Sequence, residues 1–131
     1  VDSYNPSNIG LAKIEMLEDN LPEHRFTFTT IHDNGDWSIL TRLNFYSEIY
    51  EDHVDAGGAF PIYADEEYTV DLEVSYAFSD SYSLSVGAKN LFDETPDTNP
   101  WGASVAGSKY PTTSPIGISG GYYYMRLLYE F

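Results

Sequence analysis

Five stretches of this chain alternate large apolar side chains with polar or small ones at a period of two, and each is about ten residues long. Period two is the repeat of a β-strand whose two faces meet different surroundings. Arg25 to His32 opens the series, with Phe26, Phe28 and Ile31 set among threonines. Trp37, Ile39, Thr41, Leu43 and Phe45 share the next face, opposite Ser38, Arg42, Asn44, Tyr46 and Glu48. Val70, Leu72, Val74, Tyr76 and Phe78 form a third, opposite Asp71, Glu73, Ser75 and Ala77. Tyr82, Leu84, Val86 and Ala88 form a fourth, opposite Ser83, Ser85, Gly87 and Lys89. Counting back by twos from the last residue gives Phe131, Tyr129, Leu127, Met125 and Tyr123, with Leu128 a misfit on the other face.

The connections alternate in length. Asp33-Asn34-Gly35-Asp36 carries the Asn-Gly pair that most strongly marks a tight hairpin, and Ser79–Ser81 is equally short. The other two, about 51–67 and about 91–121, are long and contain Gly and Pro. Ten residues suffice for a tilted strand to cross a bilayer, and aromatics gather at the strand ends (Trp37, Tyr68, Phe78, Tyr82, Tyr123, Phe131). The expected class is therefore all-β, with about five antiparallel strands belonging to a transmembrane barrel. Five strands cannot close one, because the smallest closed barrels use about eight, and open edges in lipid leave backbone groups unpaired. The chain is expected to be part of a larger barrel, or to assemble with copies of itself. Val1 is not an initiator methionine and no secretion signal follows it, which fits a piece of something longer.

Composition excludes other classes. Among 131 residues, 21 acids face six bases, a formal charge of −15, opposite to what phosphate contacts require, so no nucleic-acid partner is expected. Without cysteine there are no disulfides, thiolate metal sites or thiol nucleophiles. The hydrophobic fraction is 42% with no run long enough for a membrane helix. Residues 1–21 read as a connecting segment in which Ile14, Leu17 and Leu21 recur at helical spacing, predicting a short helix over Ala12–Asn20. Residues 22–131 carry the strands.

Tyr68-Thr-Val-Asp-Leu-Glu-Val-Ser-Tyr-Ala-Phe78, then Gly87-Ala-Lys-Asn-Leu-Phe-Asp-Glu-Thr-Pro96, then the strand ending in Phe131, resemble the C-terminal part of a TonB-dependent outer-membrane receptor. The middle run matches the family pattern G-x-x-N-L-F-D-x-x-P through Gly87, Asn90, Leu91, Phe92, Asp93 and Pro96. The resemblance spans roughly Pro22 to Phe131. It implies the last five of about 22 strands in the outer membrane of a Gram-negative bacterium. It also implies a parent protein that imports a scarce nutrient (metal chelate, vitamin or glycan). The terminal residues Tyr123, Met125, Leu127, Tyr129 and Phe131 would then be the signal read by the barrel-assembly machinery. The other implied partners are outer-membrane lipid, the remainder of the barrel and plug, and an energy-coupling protein engaged through an N-terminal part not present here. No enzyme activity and no cofactor are implied.

Ligand residues are sought in the long loops. Residues 51–67 hold six acids and no Lys or Arg, so Asp52, His53, Asp55, Asp65 and Glu66 are candidates, although the spacing of a calcium-binding hand is missing and no metal is assigned. Gly117-Ile-Ser-Gly-Gly121 fits the nucleophile-elbow pattern, but a strand follows it and His24, His32 and His53 all precede it, so it reads as a flexible lead into the last strand. Arg42, Lys89 and Arg126 share polar faces with Glu48, Asp71, Glu73 and Glu130, where pairing across strands would keep a lumen wet and the register fixed. Two other readings suit the same alternation. One is a self-assembling β protein or extracellular filament joined through open strand edges; the other is a soluble β-sandwich binding module.

Overall fold

The structure is a computed structural model that describes residues 10–52, 60–104 and 107–131. It is mostly antiparallel β-sheet with one short helix, as the alternation predicts. The chain divides into two compact units.

The first unit, Phe26–Phe45, Tyr68–Glu94 and Ser119–Phe131, holds the main sheet. Its strands are β1 (Arg25–Asn34), β2 (Trp37–Tyr46), β5 (Glu67–Ser79), β6 (Tyr82–Lys89) and β7 (Tyr122–Tyr129), in the order β1-β2-β5-β6-β7. Only sequence neighbours among these five pair, so the sheet is a meander and β1 and β7 are its edges. All five predicted strands are present. The β1–β2 connection is a two-residue turn in which Gly35 has φ +60° and Asp36 has not. Positive φ at the first central residue alone belongs to a type II′ turn, whereas Asn-Gly as the central pair would give type I′. Between β5 and β6 the register shifts by one between Ala77 and Ser79, a bulge that lets Ser79 oppose Tyr82 across the turn. β6 and β7 pair without a break from Tyr82↔Tyr129 to Lys89↔Tyr122.

On β1 the predicted alternation slips. Phe26 stacks on Phe45 while Thr27 and Thr29 bond to Asn44 and Arg42 on the other face. By parity Ile31 then falls on the polar side, with Thr30 and His32 on the apolar side. Two consecutive threonines at 29 and 30 move the pattern by one place, and the hydrogen-bonded ladder does not follow them.

The second unit comprises the described parts of 10–25, 46–67 and 95–118. It contains α1 (Leu11–Asp19) and a two-stranded sheet of β3 (Ile49–Asp52) and β4 (Pro61–Ala64). The region 51–67, expected to be a long loop, therefore carries part of a small two-stranded sheet paired from Ile49↔Ala64 to Asp52↔Pro61. Four-residue strands give too short an alternation to stand out in a sequence. Ile49, Tyr50, Ile62, Ala64 and Pro111 are buried and make the core of this unit. The predicted helix is present, yet Leu17 and Leu21 of its apolar stripe are exposed. The helix packs against β3, and just past its end Asn20 Nδ2 donates to the Tyr50 carbonyl at 3.1 Å.

The free edge of β4 is covered by side chains. Trp101 Nε1 donates to the Pro61 carbonyl at 3.0 Å and the Asp65 amide donates to Asp97 Oδ2 at 3.0 Å. Residues 61 and 65 present their backbone groups to the same edge, so segment 97–101 runs along it and removes an exposed pairing template. Asn99 closes the neck of the following loop: its amide donates to the Lys109 carbonyl and its Nδ2 to the Ser108 carbonyl.

Candidate functional site

The main sheet is inverted relative to one in a water-soluble core. On its apolar face Phe26, Trp37, Tyr68, Phe78, Val86, Met125, Leu127 and Tyr129 are all exposed. On its polar face Thr69, Asp71 and Ser85 are buried. The exposed rings gather toward the two ends of the strands. Phe26, Phe45 and Tyr68 form one cluster, with centroids 4.8 and 4.9 Å apart. Trp37 and Tyr76 pair toward the other end, where Phe78, Tyr82, Tyr129 and Phe131 form a chain of ring contacts. Tyr123, Met125, Leu127, Tyr129 and Phe131, the predicted assembly signal, lie exposed along β7 and just beyond it.

The polar face is built in rungs that run across the strands. On one, Asp71 Oδ2 lies 4.0 Å from Arg42 Nη1 and 3.6 Å from Lys89 Nζ, while Asp71 Oδ1 accepts the Asn90 amide at 3.0 Å. Arg42 Nε also donates to Thr29 Oγ1 at 3.3 Å. The next rung places Glu73 opposite Gly87 and Gly87 opposite Tyr124. Tyr124 reaches across Gly87 and donates its hydroxyl to Glu73 Oε2 at 2.6 Å. Arg126, one rung further, turns back to give Glu73 Oε1 a bond of 2.9 Å. The expected cross-strand pairing of charges is therefore present for Arg42, Asp71, Glu73, Lys89 and Arg126, and among the described residues neither Glu48 nor Glu130 joins it. Glycine at 87 makes room for the Tyr124 ring, since a Cβ there would run into its far end and the ring would have to shift.

The run from Asn90 to Pro96 is a clasp. Asn90 is buried in the left-handed region at φ 51°, where its Nδ2 donates to the Glu94 carbonyl at 2.7 Å and its Oδ1 accepts the Glu94 amide at 3.0 Å. Asn is one of the few side chains that tolerate this backbone region. The Leu91 amide donates to Val70, tying the segment to β5. Asp93, at φ 59°, accepts the Gly121 amide on Oδ1 at 2.6 Å, and Tyr123 donates its hydroxyl to the Leu91 carbonyl at 3.2 Å. The two ends of the long connection are thereby held together. Pro96 is buried and Phe92 exposed. At Gly121 a Cβ would approach the Asn90 carbonyl oxygen to 2.9 Å, and Gly117 and Gly120 take positive φ, so the Gly-rich stretch serves the lead into β7.

The acidic candidates separate. Asp52 is buried; its Oδ1 accepts the Phe60 amide at 2.8 Å and its Oδ2 the Tyr50 hydroxyl at 3.3 Å, so its acceptors are used internally. Asp65 and Glu66 are exposed, and His53 and Asp55 lie outside the described residues. Among the described residues no three His, Asp or Glu side chains gather to hold a metal. Sequence reading missed Glu51 and Glu67. Glu51 is buried, which pushes its carboxyl up, but bonds from Thr113 Oγ1 at 2.7 Å, the Thr113 amide at 3.0 Å and Thr112 Oγ1 at 3.1 Å outweigh burial and hold it below the ordinary value. Glu67 goes the other way: burial, opposed by Ser114 and helped by the charge of Asp97, raises its carboxyl. Burial, with the nearby Asp52 charge, pushes the Tyr50 phenol up to about 12. The hydrogen-bond partners of Glu51 and Glu67 lie 47 to 62 residues away along the chain, so no local pattern announces them.

No described helix is long and apolar enough to cross a membrane, a statement about helices only. Comparison with protein-family models, with curated proteins and with solved structures finds no match to this chain.

Proposed function

We propose that this chain is the C-terminal part of an outer-membrane β-barrel receptor that imports a nutrient with energy supplied from elsewhere. The observation that carries the reading is the inverted sheet, apolar outside and polar inside. In water such a face costs about 25 cal/mol for every Å² of apolar surface left exposed, so it calls for lipid or another apolar cover. Its dimensions suit lipid. Tyr68 and Phe78 are ten residues apart on β5. That is about 33 Å of strand, or about 25 Å along the membrane normal at the usual tilt, the height of the apolar band in such barrels. The aromatic clusters stand where the two girdles would be.

The edges β1 and β7 each have one partner, which fits a sheet continued by further strands. The resemblance of the run Gly87–Pro96 supports the receptor family within the barrel class, and in this reading the second unit belongs to the loops that meet the ligand. A soluble sandwich fits less well, because it would bury the face that is exposed here.

Two measurements test the reading. The coding frame upstream of Val1 is expected to continue through about 17 more strands and a plug domain; a frame that begins at a secretion signal ending just before Val1 overturns it. Independently, in vesicles containing acyl-chain-brominated lipid, Trp37 fluorescence should be strongly quenched in a Trp101→Phe background. An unquenched Trp37 in protein that retains its β signal would favour self-assembly through the open edges.

A further inference from the structure

We propose that the polar face of the five-stranded sheet attracts anions, and that its ligand is a multivalent oxyanion carrying carboxylate or phosphate groups. The inference deepens the transport reading and rests on it only in treating that ligand as cargo. It starts from the relative heights of the charges. The Asp71 and Glu73 carboxylates are 12% and 18% exposed, whereas Arg42, Lys89 and Arg126 are 36%, 55% and 58% exposed. The acids lie low on the sheet and the cations stand over them. Whatever approaches this face meets guanidinium and ammonium groups first.

Hydrogen-bonding capacity is unequal in the same sense. Asp71 accepts the Asn90 amide on Oδ1 and has two cations within 4.0 Å of Oδ2. Glu73 is filled by Tyr124, Arg126 and Ser75. Arg126 uses only Nη2, leaving Nε and Nη1 without a partner among the described residues, and Lys89 has only the 3.6 Å approach to Asp71. Within these rungs both carboxylates are engaged and the spare donors are cationic, which suits a ligand rich in acceptors.

The spacing asks for more than one negative group. Arg42 and Lys89 reach in from strands either side of β5 to the same Asp71 oxygen, at 4.0 and 3.6 Å, and together offer one cationic subsite. Arg126 turns back to Glu73, one rung further along and roughly 7 Å away in the strand direction, and offers a second. A chain of −15 overall concentrates three of its six basic side chains on this one face. Contacts between such exposed cations and an anion weaken as salt rises.

The test titrates the full chain, folded in a neutral-detergent micelle, with citrate, with pyrophosphate and with sucrose by isothermal calorimetry. At least one of the two anions should bind, with affinity falling steeply as salt rises, and sucrose should not. Citrate alone would identify carboxylates as the recognised group, and pyrophosphate alone phosphates. Lys89→Gln and Arg126→Gln should each weaken binding about tenfold, the effect of one charge-assisted hydrogen bond. Lys89→Gln leaves Asp71 paired with Arg42, so the fold is expected to persist, and Arg126→Lys provides a second variant that keeps the charge and should retain most binding. Folded chain that binds neither anion, or binds them unchanged in both Gln variants, overturns the proposal. If Trp37 is still lipid-quenched in that case, the transport reading stands without it; anion binding by chain that lipid does not quench keeps the anion site and removes the membrane.

Discussion

Glu51 and Glu67 sit in the same compact unit, and their carboxyls move in opposite directions for reasons visible in their partners. Glu51 is held low by threonine donors, so the folded chain prefers it ionised. Its stabilisation is present above the unfolded carboxyl range and is lost as pH falls through its own lower value. Glu67 is raised, so the folded chain prefers it protonated. It costs stability at neutral pH, and the cost disappears as pH drops below the unfolded range. Thermal melts should therefore show Glu67→Gln stabilised at pH 7, with the gain vanishing near pH 4. Glu51→Gln should be destabilised by about 2 kcal/mol at pH 7, with the loss shrinking in acid. Tyr50 adds an alkaline limit: with its phenol at about 12, stability should fall as pH rises from about 10 toward that value. Asn90 separates conformation from bonding. Asn90→Gly keeps the left-handed backbone and loses the bonds to Glu94, while Asn90→Ala loses both and should be about 1 kcal/mol worse in urea denaturation.

At the level of elements, β7 is joined to β6 by more than its backbone ladder. Tyr124 lies over Gly87 and Arg126 over Ser85, and both reach the same carboxylate on β5. The glycine is a seat for the ring, so a slip of β7 by two residues would place a different side chain over it. Gly87→Ala should cost about 1–3 kcal/mol by overpacking. In the Gly87→Ala, Tyr124→Ala double variant the ring is gone, and the combined loss should be smaller than the sum of the single losses. Additive losses in denaturant titrations would show that the ring moves aside without cost. This brace could not be read from sequence. The apposition of Gly87 and Tyr124 depends on a 37-residue separation being closed in one register.

For the whole molecule, the decisive property is which face of the main sheet is covered. Met125→Arg, on the rung of Val74 and Val86 near the middle of the Tyr68–Phe78 span, should cost about 2–4 kcal/mol in lipid, as expected for Arg near the bilayer midplane. An arginine replacing Ser83, on the polar face, should cost far less. Equal costs, measured by equilibrium denaturation from vesicles, would remove lipid from the account of the apolar face.

The sequence by itself determined the five long strands, their two faces and the short hairpins, because period-two alternation and turn residues are local properties that the chain carries wherever it folds. It also made the Asn90–Pro96 run stand out, though as a resemblance and without its mechanics. Only the tertiary structure decided that β3 and β4 exist, that Asp52 spends its carboxylate internally, that β1 slips phase at Thr29 and Thr30, and that cations stand above acids on the polar face. Each of these depends on residues brought together from distant parts of the chain. Burial and hydrogen-bond saturation are properties of such meetings, and no window of sequence contains them.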